Sequence, residues 1–127
     1  MAKKIVSTDA APAAIGAYSQ AVIAAGQVFI SGQIPLDPSS MEVVGDNFES
    51  QARQVMANLS AVAEAAGSSL HDAVKFTVYL TDLDHFAQLN TIMDEVLPKP
   101  YPARAAVQVA ALPKGVMVEI DAVLAIE

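Results

Sequence analysis

The chain has 127 residues, of which 54% are hydrophobic and none is cysteine, and its formal net charge is -7. This length fits one domain with its own core, and the lack of cysteine excludes disulfides, thiol nucleophiles and thiolate metal ligands. The acidic balance argues against nucleic acid as the main ligand, because phosphate binding requires a basic surface. No apolar stretch approaches the ~20 residues that span a bilayer, so we expect no membrane partner.

The hydrophobic fraction is high for a small soluble domain. Interfaces between identical subunits are more apolar than ordinary protein surface, so we expect the excess to cover a subunit interface. The first residues, Met1 to Thr8, contain no apolar region of a signal peptide, which makes a cytoplasmic location the expectation.

The first third of the chain predicts three strands. Residues 4–7 form a short strand, and residues 18–24 and 27–31 form a hairpin that turns at Ala25-Gly26. Gly32 ends the third of these strands.

The middle of the chain predicts a helix, a strand and a second helix. Asp46 to Ala66 repeats apolar side chains at three- and four-residue spacing, starts with a capping box of Asp46 and Glu49, and ends at Gly67. Alternating residues then predict a half-buried strand over Ala73 to Leu80. The second helix begins at Asp82 or Asp84 and ends before Pro98. The side chains expected to face the core from these last two elements are Val74, Phe76, Val78, Leu80, Phe86, Leu89, Met93 and Leu97.

The last third predicts two strands, about 103–111 and 116–126, joined by Leu112–Gly115 as a hairpin. Because side chains alternate between the faces of a strand, one face of this hairpin is dry and packs on the helices. That dry face carries Val107, Val109, Val118 and Ile120, and the opposite face carries Arg104, Gln108, Glu119 and Asp121. Two helices on one face of a mixed sheet define an α+β sandwich.

Arg104 is the strongest candidate for a ligand-binding residue. Three prolines within residues 98–102 stiffen the chain before it, and a guanidinium binds a carboxylate through two parallel hydrogen bonds. An ion pair with Glu119 or Asp121, within one chain or between subunits, would equally explain an arginine at this place.

Glu119 lies between two apolar residues in the middle of a strand, where a carboxylate needs a polar partner or a functional role. It could act as a general acid or base, or position a water molecule. In the hairpin register it lies four residues from the level of Arg104, roughly 14 Å at ~3.4 Å per residue. A site that uses both side chains therefore needs residues from a neighbouring subunit. His71 and His85 have no partner at metal-ligand spacing, and no metal site is predicted.

Short motifs spread over the whole chain carry a family resemblance. They are Ala-Ile-Gly-Ala-Tyr-Ser-Gln-Ala (14–21), Phe-Ile-Ser-Gly-Gln-Ile-Pro (29–35), Gln-Ala-Arg-Gln (51–54), Val-Tyr-Leu-Thr-Asp-Leu (78–83) with Asn90, Tyr-Pro-Ala-Arg-Ala-Ala-Val (101–107), and Leu-Pro-Lys (112–114) with Val-Glu-Ile (118–120). In this order and spacing, the chain resembles the RidA/YjgF/UK114 family of reactive-intermediate deaminases.

The resemblance implies a chorismate-mutase-like α+β fold, assembled as a homotrimer around a central β-barrel with sites in the clefts between subunits. The implied activity is that of a 2-iminobutanoate/2-iminopropanoate deaminase, which hydrolyses enamine and imine intermediates such as 2-aminoacrylate to 2-oxo acids and ammonia. The resemblance implies that this reaction uses neither a metal nor another cofactor.

The resemblance also assigns roles to residues. Arg104 would bind the substrate carboxylate, and Glu119 would activate water and handle protons at the imine nitrogen. The pocket would be lined by Tyr18, Ser31, Gly32 and Asn90, with a backbone contact from Ala106, where many members carry cysteine. Ala17 in place of a common proline, and Val96-Leu97 in place of common aromatics, leave the substrate range open.

Two other functions stay open at this point. The protein could be a non-catalytic module that binds a 2-oxo acid or a related small carboxylate through Arg104, in which case Glu119 would be dispensable. Ribonuclease activity, reported for some relatives, fits poorly with the acidic balance and the lack of a basic groove.

Overall fold

The computed structural model describes residues 2–126, which form a six-stranded sheet with two helices. The strands are β1 (Lys4–Val6), β2 (Ala21–Ala24), β3 (Gln27–Gln33), β4 (Ala73–Leu80), β5 (Ala103–Gln108) and β6 (Val118–Ala125), and the helices are α1 (Phe48–Ala65) and α2 (Phe86–Val96). The strand order is β1-β2-β3-β6-β4-β5. Only β4 and β5 pair in parallel, because α2 connects them. The α+β class predicted from the sequence is confirmed.

Both helices pack on one face of the sheet and close the core. Leu59 and Val62 of α1 and Leu89 of α2 are fully buried there, as are Phe76 of β4 and Ile120 of β6. Each side chain of this size contributes about 1.5–3 kcal/mol when it is removed from water. The stripe read from the sequence for α1 is therefore the stripe that forms the core. On α2, Leu89 and Met93 are buried as predicted, but Phe86 is 37% exposed.

The helix ends differ slightly from the prediction. Asn47, not Asp46, caps α1: its backbone is extended and its Oδ1 accepts a hydrogen bond from the Ser50 N–H at 2.9 Å. Gly67 follows α1 with a φ of +81°, as predicted for the stop. The second helix starts later than expected, at Phe86, because residues Leu83–His85 form a separate 3₁₀ turn.

The histidine of that turn is not a plain surface residue. The His85 ring stacks on the Phe48 ring, with centroids 4.5 Å apart and planes inclined by 15°. His71, by contrast, is exposed. Among residues 2–126, neither histidine belongs to a group of three side chains that could hold a metal ion.

The hairpin predicted for the last third of the chain is wrong. Strand β4 lies between β5 and β6, so Thr77 pairs with Ala105 on one side and with Asp121 on the other. The predicted strand over 103–111 also ends earlier, at Gln108. Alternation of side chains shows which face a residue occupies relative to its own strand, but it does not show which strand lies alongside.

The topology also overturns the predicted division of faces. Arg104 pairs with Phe76, whose side chain is buried under the helices, whereas Glu119 pairs with Tyr79 on the opposite face. Arg104 and Glu119 therefore lie on opposite faces of the sheet. Val107, expected on the dry face, is exposed, and so is Val74, which lies at a register shift between β4 and β6.

The face of the sheet that carries no helix has an apolar surface. Paired positions across the strands place Ile5, Phe29 and Val107 on it, with exposed fractions of 50%, 44% and 45%. An exposed apolar surface of this kind is typical of a protein–protein contact. Within residues 2–126, neither helix is long and apolar enough to cross a bilayer.

Buried amide side chains hold the loops around the sheet. Gln20 donates through Nε2 to the carbonyl oxygens of Thr8, Ala11 and Pro12, at 3.0, 3.3 and 2.7 Å, and its Oε1 accepts from the Thr8 N–H at 2.7 Å. Gln51 accepts from the Met117 N–H at 2.8 Å and so ties α1 to the start of β6. These bonds order the segments that carry Tyr18 and Glu119.

Candidate functional site

Helix α2 holds the Arg104 side chain from three directions. Arg104 Nη1 donates to Asn90 Oδ1 at 2.6 Å and approaches Met93 Sδ at 3.8 Å, while the guanidinium carbon lies 5.1 Å from the centroid of the Phe86 ring. Phe86, Asn90 and Met93 share one face of the helix because they follow a spacing of four and then three residues. Both hydrogen bonds found among residues 2–126 use Nη1, so the other donors of the fork are left for a planar anion.

A cleft of about 600 Å³ opens beside Arg104, between α2 and the edge of the sheet. Tyr101 lines it and donates a hydrogen bond from its hydroxyl to Asp94, which raises the pKa of Tyr101. The complete lining comprises Asn90, Thr91, Met93, Asp94, Leu97, Tyr101, Pro102 and Arg104. Arg104 is the only cationic residue of that lining, so a carboxylate in the cleft would bind to it.

The ion pair that the sequence left open within one chain is not formed. Among residues 2–126, the salt bridges belong to Arg53, which contacts Glu49 at 3.0 Å and Glu95 at 2.7 Å. Arg104 instead has Asn90 as its partner, a neutral acceptor that fixes the guanidinium without neutralising its charge.

Glu119 forms a second group of residues, on the other face of the sheet. Its side chain lies directly over Gly32 of β3, beside a register shift between Ile30 and Gln33. A Cβ atom at position 32 would come within 3.0 Å of Glu119 Cδ and 3.2 Å of its Cγ, and closer still to Oε2. Glycine at this position therefore makes room for the carboxyl group.

The environment of Glu119 favours its protonated form. Partial burial raises the pKa of the Glu119 carboxyl, and the negative charge of Asp121 raises it further. A carboxyl whose pKa is raised exchanges protons more readily near neutral pH, as a general acid or base requires. No comparable shift was apparent from the sequence, because neither the depth of Glu119 nor the orientation of Asp121 is visible there.

Tyr18 and Ser31 belong to the Glu119 side of the molecule. Ser31 Oγ donates to the Ser19 carbonyl oxygen at 2.6 Å, and the Ser31 N–H donates to the Gln20 carbonyl oxygen at 2.9 Å. These bonds attach the loop that carries Tyr18 to β3. Tyr18 is half exposed, so the residue is open to a ligand.

The predicted site residues thus fall into two groups. The arginine group contains Arg104 and Asn90, with Ala106 on the same strand; the glutamate group contains Glu119, Gly32, Ser31 and Tyr18. Strands β5 and β6 are two positions apart in the sheet, on either side of β4. Arg104 pairs with Phe76 of β4 and Glu119 pairs with Tyr79, so the two residues are also offset by three residues along the strand direction. Their backbones are thus about 14 Å apart, from strand spacings of ~4.8 Å and rises of ~3.3 Å. A small molecule cannot contact both groups in one protomer.

Sequence reasoning missed several residues that contact these two groups or line the cleft. It placed Phe86 in the core, whereas this ring is exposed beside Arg104; it placed Met93 in the core correctly, but without its contact to Arg104. It gave no role to Asp94, Tyr101 or Tyr79. A usable signal was present, because Phe86 and Asn90 are four residues apart and Met93 follows three residues later. Tyr101 and Asp94 carry no such signal, since the loop between them determines their contact.

Comparison with known proteins agrees with this architecture. The sequence model of the family described as Endoribonuclease L-PSP matches residues 8–126, and the chain belongs to this family, the RidA/YjgF family. The 2-iminobutanoate/2-iminopropanoate deaminase of Rattus norvegicus is 46% identical over 121 residues, which cover 95% of this chain and 88% of the rat protein.

Solved structures of relatives have the same fold. RidA from the Antarctic bacterium Psychrobacter sp. PAMC 21119 is 56% identical, with a TM-score of 0.93 over 97% of this chain and 99% of that one. E. coli TdcF, crystallised with bound serine, is 43% identical, with a TM-score of 0.89 over 98% of this chain and 99% of that one.

Proposed function

We propose that the protein is a 2-iminobutanoate/2-iminopropanoate deaminase, a hydrolase that acts on the C=N bond of small 2-imino acids. The observation that carries this proposal is the Arg104 guanidinium, which Asn90 and Phe86 hold beside an open cleft. The deaminase name of the rat relative supports the reaction. Serine in the E. coli relative supports a ligand with a carboxylate and a nitrogen on the adjacent carbon.

The two groups of residues match the two ends of such a substrate. In the overall reaction, R–C(=NH)–COO⁻ and water give R–C(=O)–COO⁻ and ammonia. Arg104 binds the carboxylate through its free donors and thereby orients the imine carbon. Glu119 accepts a proton from the attacking water and donates a proton to the departing nitrogen, which the raised pKa of its carboxyl favours.

One protomer cannot bring these groups together, so we propose that the site is completed between subunits. The apolar sheet face with Ile5, Phe29 and Val107 needs a cover, and packing three such faces around an axis gives a homotrimer with a central β-barrel. Each site then combines Arg104 and Asn90 of one subunit with the glutamate group of the next. The part of the protein that recognises the carboxylate and the part that moves protons are thus contributed by different copies of the chain.

The first test is a coupled assay for imine hydrolysis. A serine or threonine dehydratase generates the imine, and the appearance of the 2-oxo acid is followed with the wild type, Arg104→Lys and Glu119→Gln. Arg104→Lys is expected to raise KM, because an ammonium cannot form two parallel hydrogen bonds with a carboxylate. Glu119→Gln is expected to lower kcat by about 10²–10⁴-fold.

The matched control is the other arginine of the chain. Arg53 pairs with Glu49 and Glu95 on the exposed side of the helices, so Arg53→Lys is expected to keep full activity. Failure of an assembled wild type to accelerate release of the 2-oxo acid would refute the proposal. So would equal losses in the Arg53→Lys and Arg104→Lys variants.

A mixing experiment tests whether the site lies between subunits. Arg104→Ala and Glu119→Ala are each expected to be inactive. Unfolded together at equal concentration and refolded, they form mixed trimers in which some sites receive both intact residues. In a ring of head-to-tail contacts this restores about a quarter of the wild-type activity. No recovery in properly assembled mixtures, together with an active wild type, would place the whole site within one protomer.

A binding module without catalysis is the second candidate, because the arginine group is complete within one protomer. It predicts saturable binding of 2-oxobutanoate that Arg104→Ala abolishes and Glu119→Gln leaves unchanged. Calorimetric titration of both variants, run beside the coupled assay, separates this function from the deaminase.

A further inference from the structure

A tyrosine and a second carboxylate accompany Glu119 on the uncovered face of the sheet. Tyr79 is the direct cross-strand partner of Glu119, and Thr77 is the partner of Asp121. The Tyr79 hydroxyl reaches diagonally across this ladder and donates a hydrogen bond to Asp121 Oδ2 at 3.0 Å. The hydrogen bond fixes the carboxylate of Asp121 on the same face as Glu119, two residues along β6.

The strands around Glu119 bring few charged groups to it. Strand β3 contributes Gly32, which has no side chain, and β5 contributes Val107 at the same level. On β4 the ionisable groups of this face are Tyr79 and the exposed Lys75, the latter four residues away, or about 13 Å along the strand. Among the strand residues within positions 2–126, Asp121 is thus the charged residue nearest in register to Glu119 on that face.

We propose that Tyr79 and Asp121 are a positioning pair for Glu119, an inference that rests on the proposed function. Tyr79 holds the negative charge of Asp121 beside Glu119, and this charge tunes the proton affinity of the Glu119 carboxyl during imine hydrolysis. Neither residue touches the substrate in this scheme. Both act through Glu119.

The physical basis is repulsion between two carboxylates of like charge. A neighbouring negative charge disfavours the ionised form of Glu119, and the hydrogen bond from Tyr79 holds the Asp121 carboxylate in place on the same face. The same contact raises the pKa of Tyr79, so its hydroxyl keeps its proton and remains a donor. The pair thus keeps a carboxylate fixed near Glu119, and this contributes to the raised pKa of the Glu119 carboxyl.

The proton balance of the reaction makes use of this arrangement. When water adds to the imine carbon, a C–O bond forms, the electron pair of the C=N bond moves to nitrogen, and nitrogen gains a proton. When the resulting carbinolamine collapses, the C–N bond breaks, its electron pair leaves with ammonia, and the oxygen loses its proton. Glu119 must therefore give and take a proton in each turnover, which is fastest when its pKa lies near the working pH.

The test is the substitution Asp121→Asn, which removes the charge but keeps an oxygen that can accept the hydrogen bond from Tyr79. The wild-type pH profile of kcat/KM is expected to contain a limb that is absent in Glu119→Gln. In Asp121→Asn this limb is expected to move to lower pH. Tyr79→Phe is expected to move it in the same direction by a smaller amount, because Asp121 is then no longer held in place. Asp72→Asn, the same change at an exposed residue outside this face, is the matched control and is expected to leave the profile unchanged.

A titration by NMR gives a readout that does not depend on activity. With ¹³C-labelled glutamate side chains, the Glu119 signal is assigned by its loss in Glu119→Gln and followed through the pH titration. Its midpoint is expected at lower pH in Asp121→Asn than in the wild type and in Asp72→Asn. A lower melting temperature with an unchanged midpoint would mean that Asp121 is merely structural, and the inference would be overturned.

The two readouts also separate this inference from the proposed function. If the wild type hydrolyses imines but neither the profile nor the midpoint moves in Asp121→Asn, the positioning pair is refuted while the deaminase stands. If the midpoint moves but the assembled wild type hydrolyses no imine, the charge coupling stands, and both the deaminase and the catalytic use of the pair are refuted.

Discussion

The contact between Gly32 and Glu119 leads to a sharp prediction for Gly32→Ala. The three heavy atoms nearest to a methyl group at position 32 all belong to the Glu119 side chain. The backbone of Gly32 does not have a positive φ, so alanine fits the strand itself. The substitution therefore displaces the carboxyl group and leaves the backbone in place.

The expected change in stability is small and the expected change in catalysis is large. Forcing Glu119 off its preferred rotamer costs about 0.5–1.5 kcal/mol. Replacing glycine by alanine returns about 0.4–1 kcal/mol through the lower entropy of the unfolded chain. The free energy of unfolding should thus change by no more than about 1 kcal/mol. Displacing an acid–base group by about 1 Å can cost about 10²-fold, and we expect that loss in kcat.

The assay combines urea denaturation with the coupled imine assay, in a double-mutant cycle with Glu119→Ala. In the Glu119→Ala background the clash is absent, so adding Gly32→Ala should be neutral or stabilising and should lower activity no further. Full activity of Gly32→Ala alone would refute the reasoning. An additional loss of activity in the Glu119→Ala background would show that the methyl group blocks the ligand and does not act through Glu119.

Two further predictions concern stability. The folded state holds the proton of Glu119 more tightly than the unfolded state, so the charged carboxylate weakens the fold above its folded pKa. Glu119→Gln should therefore raise Tm at about pH 8, and this gain should vanish below about pH 4. A gain that persists in acid would contradict this linkage. Asn58→Ala should lower the free energy of unfolding by about 1–3 kcal/mol, because the carbonyl oxygens of Ile34 and Leu36 lose their donor. Gln54→Ala, at the half-exposed neighbour, should cost less. Equal losses for the two variants in urea denaturation would contradict this prediction.

Local patterns were sufficient for most of the elements. The alternation over residues 73–80 predicts a strand, and the structure has β4 at Ala73–Leu80. The hairpin at Ala25-Gly26 is also confirmed, since β2 and β3 pair antiparallel there. Both results follow from interactions between residues close in sequence, for which turn chemistry and side-chain periodicity are direct signals.

The order of the strands was beyond these signals. A loop with proline and glycine at residues 112–115 fits a hairpin, yet the chain there passes over the end of β4 and enters the sheet on its other side. Two strands joined by a short connection pair directly in the commonest case, but here β4 lies between them, parallel to β5 and antiparallel to β6. The order depends on pairing between strands that are far apart in sequence, which the residues of the loop do not reveal.

The error in topology also changes the meaning of the candidate site. With Arg104, Glu119 and Asp121 on one face, an ion pair between Arg104 and one of the two carboxylates was an open explanation for these charged residues. On opposite faces and about 14 Å apart, they cannot neutralise each other, and each has its own support: Asn90 and Phe86 for the arginine, Gly32 and Asp121 for the glutamate. Such separate support is difficult to explain as a by-product of folding one protomer, because neither arrangement fills the core. It is the arrangement that the proposed site between two copies of the chain predicts, and the sequence alone offers no signal for such a pairing of distant residues.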